Sequence, residues 1–227
     1  MSKLPELPAT VLELLERLYD VAVGCDVTDY LITDRNLASA LHADPDARDV
    51  NEKLLVAENG VHLDVSLYLD AGVLGRLHRQ DPMVRLHHRN LADFWLVVEG
   101  ISHFLCLAWN ASHDKSVTLL ELEMQAEVDK FLTALHVLGM QGNDDVSDEV
   151  HRHLFEYASF DHRLDPENRE RYRQASRYAG KYCRTLYHRF MRRVRRPGMI
   201  AELRRFYRLP QAGKISHIES TFCAVQA

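Results

Sequence analysis

The sequence predicts a mainly α (α+β) protein: a helical bundle-like core, one inserted β-hairpin and a long basic C-terminal helix. Three observations predict it. Apolar residues recur at spacings of three and four over most of the chain, which is the period of a helix. From Val61 to Leu69 the spacing changes to two, directly after Asn59-Gly60. From Arg163 onward 16 Lys and Arg stand against five acids, whereas 12 stand against 28 before it.

The elements follow in order. Thr10 and Glu13 form a T-x-x-E capping box, and Val11, Leu15, Leu18 and Ala22 carry a first helix to a stop at Gly24. A short helix is expected over Asp34–Leu41, then a polar loop. Lys53–Glu58 and Val61–Leu69 pair as a hairpin through a type I′ Asn-Gly turn. Val61, Leu63, Val65, Leu67 and Leu69 form its apolar face, and a lone hairpin must lay that face on helices. Asp70 caps a short helix to Leu77. Asn90 caps a helix to Trp109 that is apolar around almost its whole circumference, which makes it central and buried. Ser116 to Leu138 forms the next helix, with Gly139 as its stop. Ser147 caps a short helix to Tyr157.

Asp165-Pro166-Glu167 opens the longest helix. Asp suits the N-cap, Pro the first helical position and Glu the positive end of the dipole. Its apolar stripe is Tyr172, Ala175, Ala179, Tyr182, Leu186, Phe190 and Val194, and Pro197 stops it after Arg196. A last helix runs from Met199 to Arg208, and the residues from Gln211 onward read as an extended tail. The whole reads as one mostly helical domain over 1–227. Gly139–Asp145 is a candidate seam between an acidic part (1–138) and a basic part (146–227).

Composition bounds the function. With 46% hydrophobic and 27% charged residues and a net charge of −5, the chain can bury a sizeable core and resembles ordinary globular proteins. No run of about 18 apolar residues suggests a membrane span, and the N-terminus has no signal-peptide pattern. Cys25, Cys106, Cys183 and Cys223 are scattered without CxxC spacing. They read as reduced thiols of a cytoplasmic protein rather than a disulfide frame. The absence of GxSxG, HExxH and GxGxxG argues against serine hydrolase, zinc protease and Rossmann readings.

Two constellations carry chemistry. The first is a basic face. Arg169, Arg173, Arg177, Lys181, Arg184 and His188 share a stripe of the long helix; Arg192, Arg193, Arg195 and Arg196 crowd its end; Arg204, Arg205, Arg208 and Lys214 extend it. Guanidinium groups bind phosphate bidentately, and Tyr178, Tyr187 and Tyr207 offer stacking faces. The face suits an acidic partner, with RNA or DNA the leading candidate. The alternatives are carboxylates of the acidic half, in the same chain or across a homo-oligomer.

The second is a polar notch in the apolar helix: Glu99, Ser102, His103 and Cys106. Glu99 and His103 are i,i+4 and share a face. Glu123 and Glu127 flank the apolar stripe of the next helix, so two antiparallel neighbours bring Glu99, His103, Glu123 and Glu127 together. A buried carboxylate is costly unless paired. The set reads as a metal site, as a general acid/base group of Glu99, His103 and Glu127, or as a structural ion-pair network. Glu99-x-x-x-His103 departs from the Glu-x-x-His units of di-iron bundles. His151 and His153 fall on different helix faces and cannot easily serve one metal.

The sequence thus supports three functions. The first is a non-enzymatic cytosolic binding or regulatory protein acting through the Arg/Tyr face, with no cofactor. The second is a helical enzyme with a Glu/His site at the notch, with or without a metal ion. The third is a structural homo-oligomer joined by its acidic and basic halves.

Overall fold

The computed structural model describes residues 6–41, 50–59, 62–143, 146–160, 162, 164–191 and 196–226. Its elements in chain order are α1 (Leu7–Tyr19), β1 (Leu31–Ile32), α2 (Arg35–Ala40), β2 (Glu52–Asn59), β3 (His62–Leu69), α3 (Ala71–Arg79), α4 (Leu91–Ala111), α5 (Leu119–Met140), α6 (Ser147–His151), α7 (Pro166–Leu186), α8 (Arg196–Tyr207) and α9 (Gln211–Gln226). The protein is therefore mainly α with a small sheet, as its periodicities predict.

Helix α1 begins before the expected capping box. Pro8 sits in its first turn, and the Thr10 hydroxyl donates back to the Glu6 carbonyl from inside the helix. A Pro near the helix start wins because its missing N–H has no partner there anyway. The helix also stops earlier than Gly24, at Asp20, which takes the left-handed conformation (φ 56°). Asp tolerates that region better than most side chains.

The hairpin is antiparallel, with Leu54 opposite Leu67 and Asn59 opposite His62. Its turn at Gly60 and Val61 lies outside the described residues. A third strand, β1, pairs parallel to β3 through Leu31 and Ile32, giving the order β1-β3-β2. The sheet is covered on both faces. Leu67 and Leu69 enter the main core, while Tyr68 and Leu55 pack with Ala38 of α2. Asp70 caps α3 as expected, and Asp34 caps α2 in the same way, each accepting two backbone N–H bonds.

Helix α4 packs on α1, α3, α5, β2 and β3. Against expectation, it is long and apolar enough to cross a bilayer by length and composition (21 residues, mean hydropathy 1.5). Its surroundings account for that: Phe94, Val97, Val98, Ile101, Phe104 and Leu105 are all buried against other elements of the fold. Helix α5 packs on α4 and α7. It starts at a Thr118 N-cap and runs through Gly139 to Met140, past the expected stop. Residue 146, not Ser147, stands at the N-cap of α6, and the helix continues as a π-helical turn, Arg152–Glu156.

Asp165 caps α7 by accepting from the Asn168 N–H, with Pro166 in the first turn. Ala175, Ala179, Tyr182 and Leu186 face the core, and a π-helical turn carries the helix on to Met191. Pro197 lies in the first turn of α8 rather than ending a helix. The largest correction is at the C-terminus. The expected tail is helix α9, which packs on α7 and buries Lys214 and Ile218. The main hydrophobic cluster runs through the chain from Val11 to Ile218.

Candidate functional site

Helices α4 and α5 run antiparallel. Trp95 donates to the Lys130 carbonyl, Glu99 meets Lys130, Ser102 meets Asp129 and His103 meets Glu123, so positions rise on one helix as they fall on the other. This brings Glu99, His103, Glu123 and Glu127 into one polar pocket. Strand β2 adds a residue that local spacing does not reveal, Glu52. It reaches α4 at Gly100, where a Cβ would lie 3.0 Å from Glu52 Cγ and 3.0 Å from Leu67 Cδ1. Glycine suits this position because a Cβ would press on both side chains, and one of them would have to give.

The pocket divides into two linked parts. His103 lies between two carboxylates, with Nδ1 3.5 Å from Glu52 Oε1 and Nε2 3.5 Å from Glu123 Oε2. Lys130 lies between two others, with Nζ 3.0 Å from Glu99 Oε2 and 2.5 Å from Glu127 Oε1. His103, Glu123 and Lys130 are buried, and Glu99 forms the solvent-facing edge with 26% of its side chain exposed.

Opposed effects set the protonation of these groups. Burial alone would lower the His103 pKa, but Glu123 and Glu52 hold the ring charged and carry it well above its ordinary value. Burial raises Glu52, and His103 offsets this only in part. Burial would likewise raise Glu99, yet Lys130 and His103 bring it below the usual carboxylate value. Glu127 shares Lys130 but is raised by burial, with the negative charge of Glu99 adding to the rise. Lys130 stays charged against burial because Glu99 and Glu127 both face it.

One ligand atom from each of Glu99, His103 and Glu123 lies within 4.8 Å of the others. Ligands bound to a first-row ion at ~2.1 Å are at most ~4.2 Å apart, so small side-chain rotations close the set around a cation. His103 Nε2 and Glu52 Oε1 are buried and have no hydrogen-bond partner among the described residues. Buried polar atoms in a finished network are normally satisfied. Glu127 was expected beside these three, but its contact is with Lys130, and it is not one of the three whose ligand atoms lie within 4.8 Å.

A second buried cluster centres on Asp129 of α5. Asp129 accepts from Tyr19, from Ser102 at 2.6 Å and from Gln125 at 3.0 Å. Burial pushes its pKa up to about 6, with those three donors opposing. Sequence reasoning singled out Ser102 but missed Tyr19, Gln125 and Asp129. The i,i+4 spacing of Gln125 and Asp129 was the available signal. Cys106 is a core residue, its thiol pushed up to about 12 by burial. His151 donates from Nε2 to the Gly180 carbonyl (3.0 Å), away from the pocket.

The basic face is partly open and partly spent within the fold. Arg173, Arg177 and Arg184 are exposed along α7. Arg173 meets Glu170 at 3.0 Å, Arg184 meets Glu156 at 3.8 Å, and Arg177 lies over the Tyr178 ring at 4.9 Å. Such exposed pairs contribute little. Arg169 is half-buried and donates to the Leu164 carbonyl, and Lys181 is also half-buried. Arg205 is exposed. Arg204 and Arg208 instead cap α1: their guanidinium groups donate to the carbonyls of Arg17, Leu18, Tyr19 and Asp20. Those carbonyls end a helix and need donors. Lys214, expected on this surface, is fully buried against Glu121. Arg192 and Arg193, like Arg195, lie outside the described residues, as does the side chain of Arg196.

Compared with known protein families, curated proteins and solved structures, the chain matches none, so the functional reading rests on this geometry.

Proposed function

We propose that the protein is a helical, metal-dependent enzyme that holds one divalent first-row transition ion on Glu99, His103 and Glu123. The observation that carries this reading is the convergence of three ligand atoms from Glu99, His103 and Glu123 within 4.8 Å, where His103 Nε2 is buried 3.5 Å from Glu123 Oε2 with no hydrogen-bond partner among the described residues. A His nitrogen beside carboxylates favours manganese, iron, cobalt or zinc over calcium and magnesium, which prefer all-oxygen sets. Three protein ligands leave a coordination position open, as catalytic sites do and structural sites do not. An ion there would acidify a bound water or polarise a substrate oxygen, and the partly exposed edge at Glu99 gives access.

The test is a titration of chelator-treated protein with manganese, cobalt and zinc, joined to elemental analysis of the protein as purified. One ion per chain is expected. Glu99→Gln, His103→Ala and Glu123→Gln should each abolish stoichiometric binding without unfolding the chain, whereas Glu127→Gln should retain it. A chain that takes up no stoichiometric metal would overturn the proposal.

A second reading has its own observation: Arg173, Arg177 and Arg184 line the outer side of α7 while its other side packs on α5. We propose this row as a contact for an acidic partner, nucleic acid first. Phosphate contacts release counterions, so binding should weaken steeply with salt. Replacing the three with Glu should abolish retention of single-stranded RNA or DNA; unchanged retention would sink the reading.

A further inference from the structure

We infer that Glu52 is the positioning residue of the metal centre: its carboxylate accepts the Nδ1–H of His103 and turns the Nε2 lone pair toward Glu99 and Glu123. This rests on the cation-binding reading above. A cation displaces one proton from the charged His103 ring, which leaves one N–H and one lone pair, and the metal takes the lone pair. Which nitrogen is left for the metal is decided by the hydrogen bond the other one makes.

In this protein the two nitrogens face different elements. Nδ1 faces Glu52 of β2, and Nε2 faces Glu123 of α5. Only Glu123 belongs with Glu99 to the set that closes on an ion; Glu52 stands on the other side of the ring. Both 3.5 Å separations exceed the ~3.2 Å reach of a good N–H···O bond. Glu52 Oε1 and His103 Nε2 are also the pocket's two atoms without hydrogen-bond partners among the described residues. A cation on Nε2 draws a settled orientation from the ring, with Nδ1–H directed at Glu52 Oε1, so both vacancies are met together. Carboxylates in this position commonly fix the tautomer of a metal-bound His.

The backbone is shaped for the contact. Gly100 is the one glycine of α4, and a Cβ there would come within 3.2 Å of Glu52 Oε1. The hairpin is thereby part of the centre, although none of the three ligands lies on it.

The experiment is a cobalt(II) titration followed by visible absorption, on the wild type, Glu52→Ala, Glu52→Gln and His103→Ala. Thermal unfolding in chelator confirms that each variant is folded. Loss of a carboxylate that is hydrogen-bonded to a metal-bound His typically weakens binding about 10–100-fold, and that loss is expected for Glu52→Ala. Glu52→Gln keeps an acceptor oxygen and should recover part of it. Nitrogen-15 NMR of the zinc form should show His103 protonated at Nδ1 in the wild type. Should Glu52→Ala not fold, Gly100→Ala moves the carboxylate aside and serves in its place. Unchanged cobalt affinity in a folded Glu52→Ala, or metal on Nδ1, overturns the role of Glu52 and leaves the centre standing. Wild type and His103→Ala that bind cobalt equally, or not at all, overturn the centre itself.

Discussion

Lys214 of α9 and Glu121 of α5 form an ion pair 3.1 Å apart, with 0% and 5% of their side chains exposed. The second Glu121 oxygen accepts from the Gln211 N–H at 3.0 Å, so one carboxylate both pairs the cation and starts the last helix. The Lys214 ammonium also lies over the rings of Phe206 and Tyr207, 5.6 and 5.7 Å from their centroids. Helix α9 is therefore docked through a charge, not through an apolar stripe alone.

Removing one partner leaves a buried charge uncompensated, which typically costs about 3–5 kcal/mol. Lys214→Met should lower the unfolding free energy by that order. The double variant Lys214→Met/Glu121→Gln should recover most of the loss, because no bare carboxylate remains. Urea denaturation of the three proteins checks this, and a double variant no better than the single would refute it.

Asp129 predicts a pH dependence of definite sign. Its folded pKa is raised from 3.8 to about 6. The native state thus binds the proton more tightly than the unfolded chain, and stability falls as pH rises through the window between those values. Above about pH 6 the loss levels off at about 3 kcal/mol, at 1.36 kcal/mol per pKa unit. Asp129→Asn has no such proton to lose. The difference in unfolding free energy between wild type and Asp129→Asn should change across pH 4–6 and be flat above it. A constant difference throughout would show that Asp129 is ionised in the fold.

Lys130 should oppose the metal. Its ammonium holds Glu99, one of the three ligands, and neutralises Glu127. Lys130→Met leaves two carboxylates without their cation, so the metal-free protein should lose about 3 kcal/mol or more. Its affinity for cobalt should rise. An ion at 100 times its dissociation constant returns about 2.7 kcal/mol, so saturating metal should restore most of the melting temperature. Equal destabilisation with and without metal would separate Lys130 from the centre.

How much of this could be read in the sequence follows from where the information lies. The α4–α5 pair and its four polar residues were legible because helical spacing is local and the short loop forces antiparallel packing. The hairpin was legible from its alternation. Glu52 was not, since it reaches Gly100 through a tertiary approach with no periodic signature. Strand β1 has two residues and pairs parallel, which leaves no local pattern. Helix α9 was misread because Lys214 stands where a helix would bury an apolar residue, and a lysine there reads as solvent. Arg204 and Arg208 were misread for the same reason: composition marks them as a ligand surface, while geometry spends them on the carbonyls of α1.

Two glycines should answer oppositely to the same substitution. Alanine in a helix interior is favoured over glycine by about 1 kcal/mol. At Gly75 of α3 a Cβ would meet only the end of Arg79, at 3.7 Å, so Gly75→Ala should stabilise by about 0.5–1 kcal/mol. At Gly100 the same Cβ would lie 3.0 Å from both Glu52 Cγ and Leu67 Cδ1. Leu67 is fully buried and has no space to give. Overpacking of this kind costs about 1–3 kcal/mol, which exceeds the helix gain, so Gly100→Ala should be net destabilising. The Glu52 side chain is the more movable of the two neighbours. Its displacement should therefore lower cobalt affinity in Gly100→Ala and leave that of Gly75→Ala at the wild-type value. A stabilised Gly100→Ala with unaltered metal binding would mean that β2 and α4 are not held this close in solution.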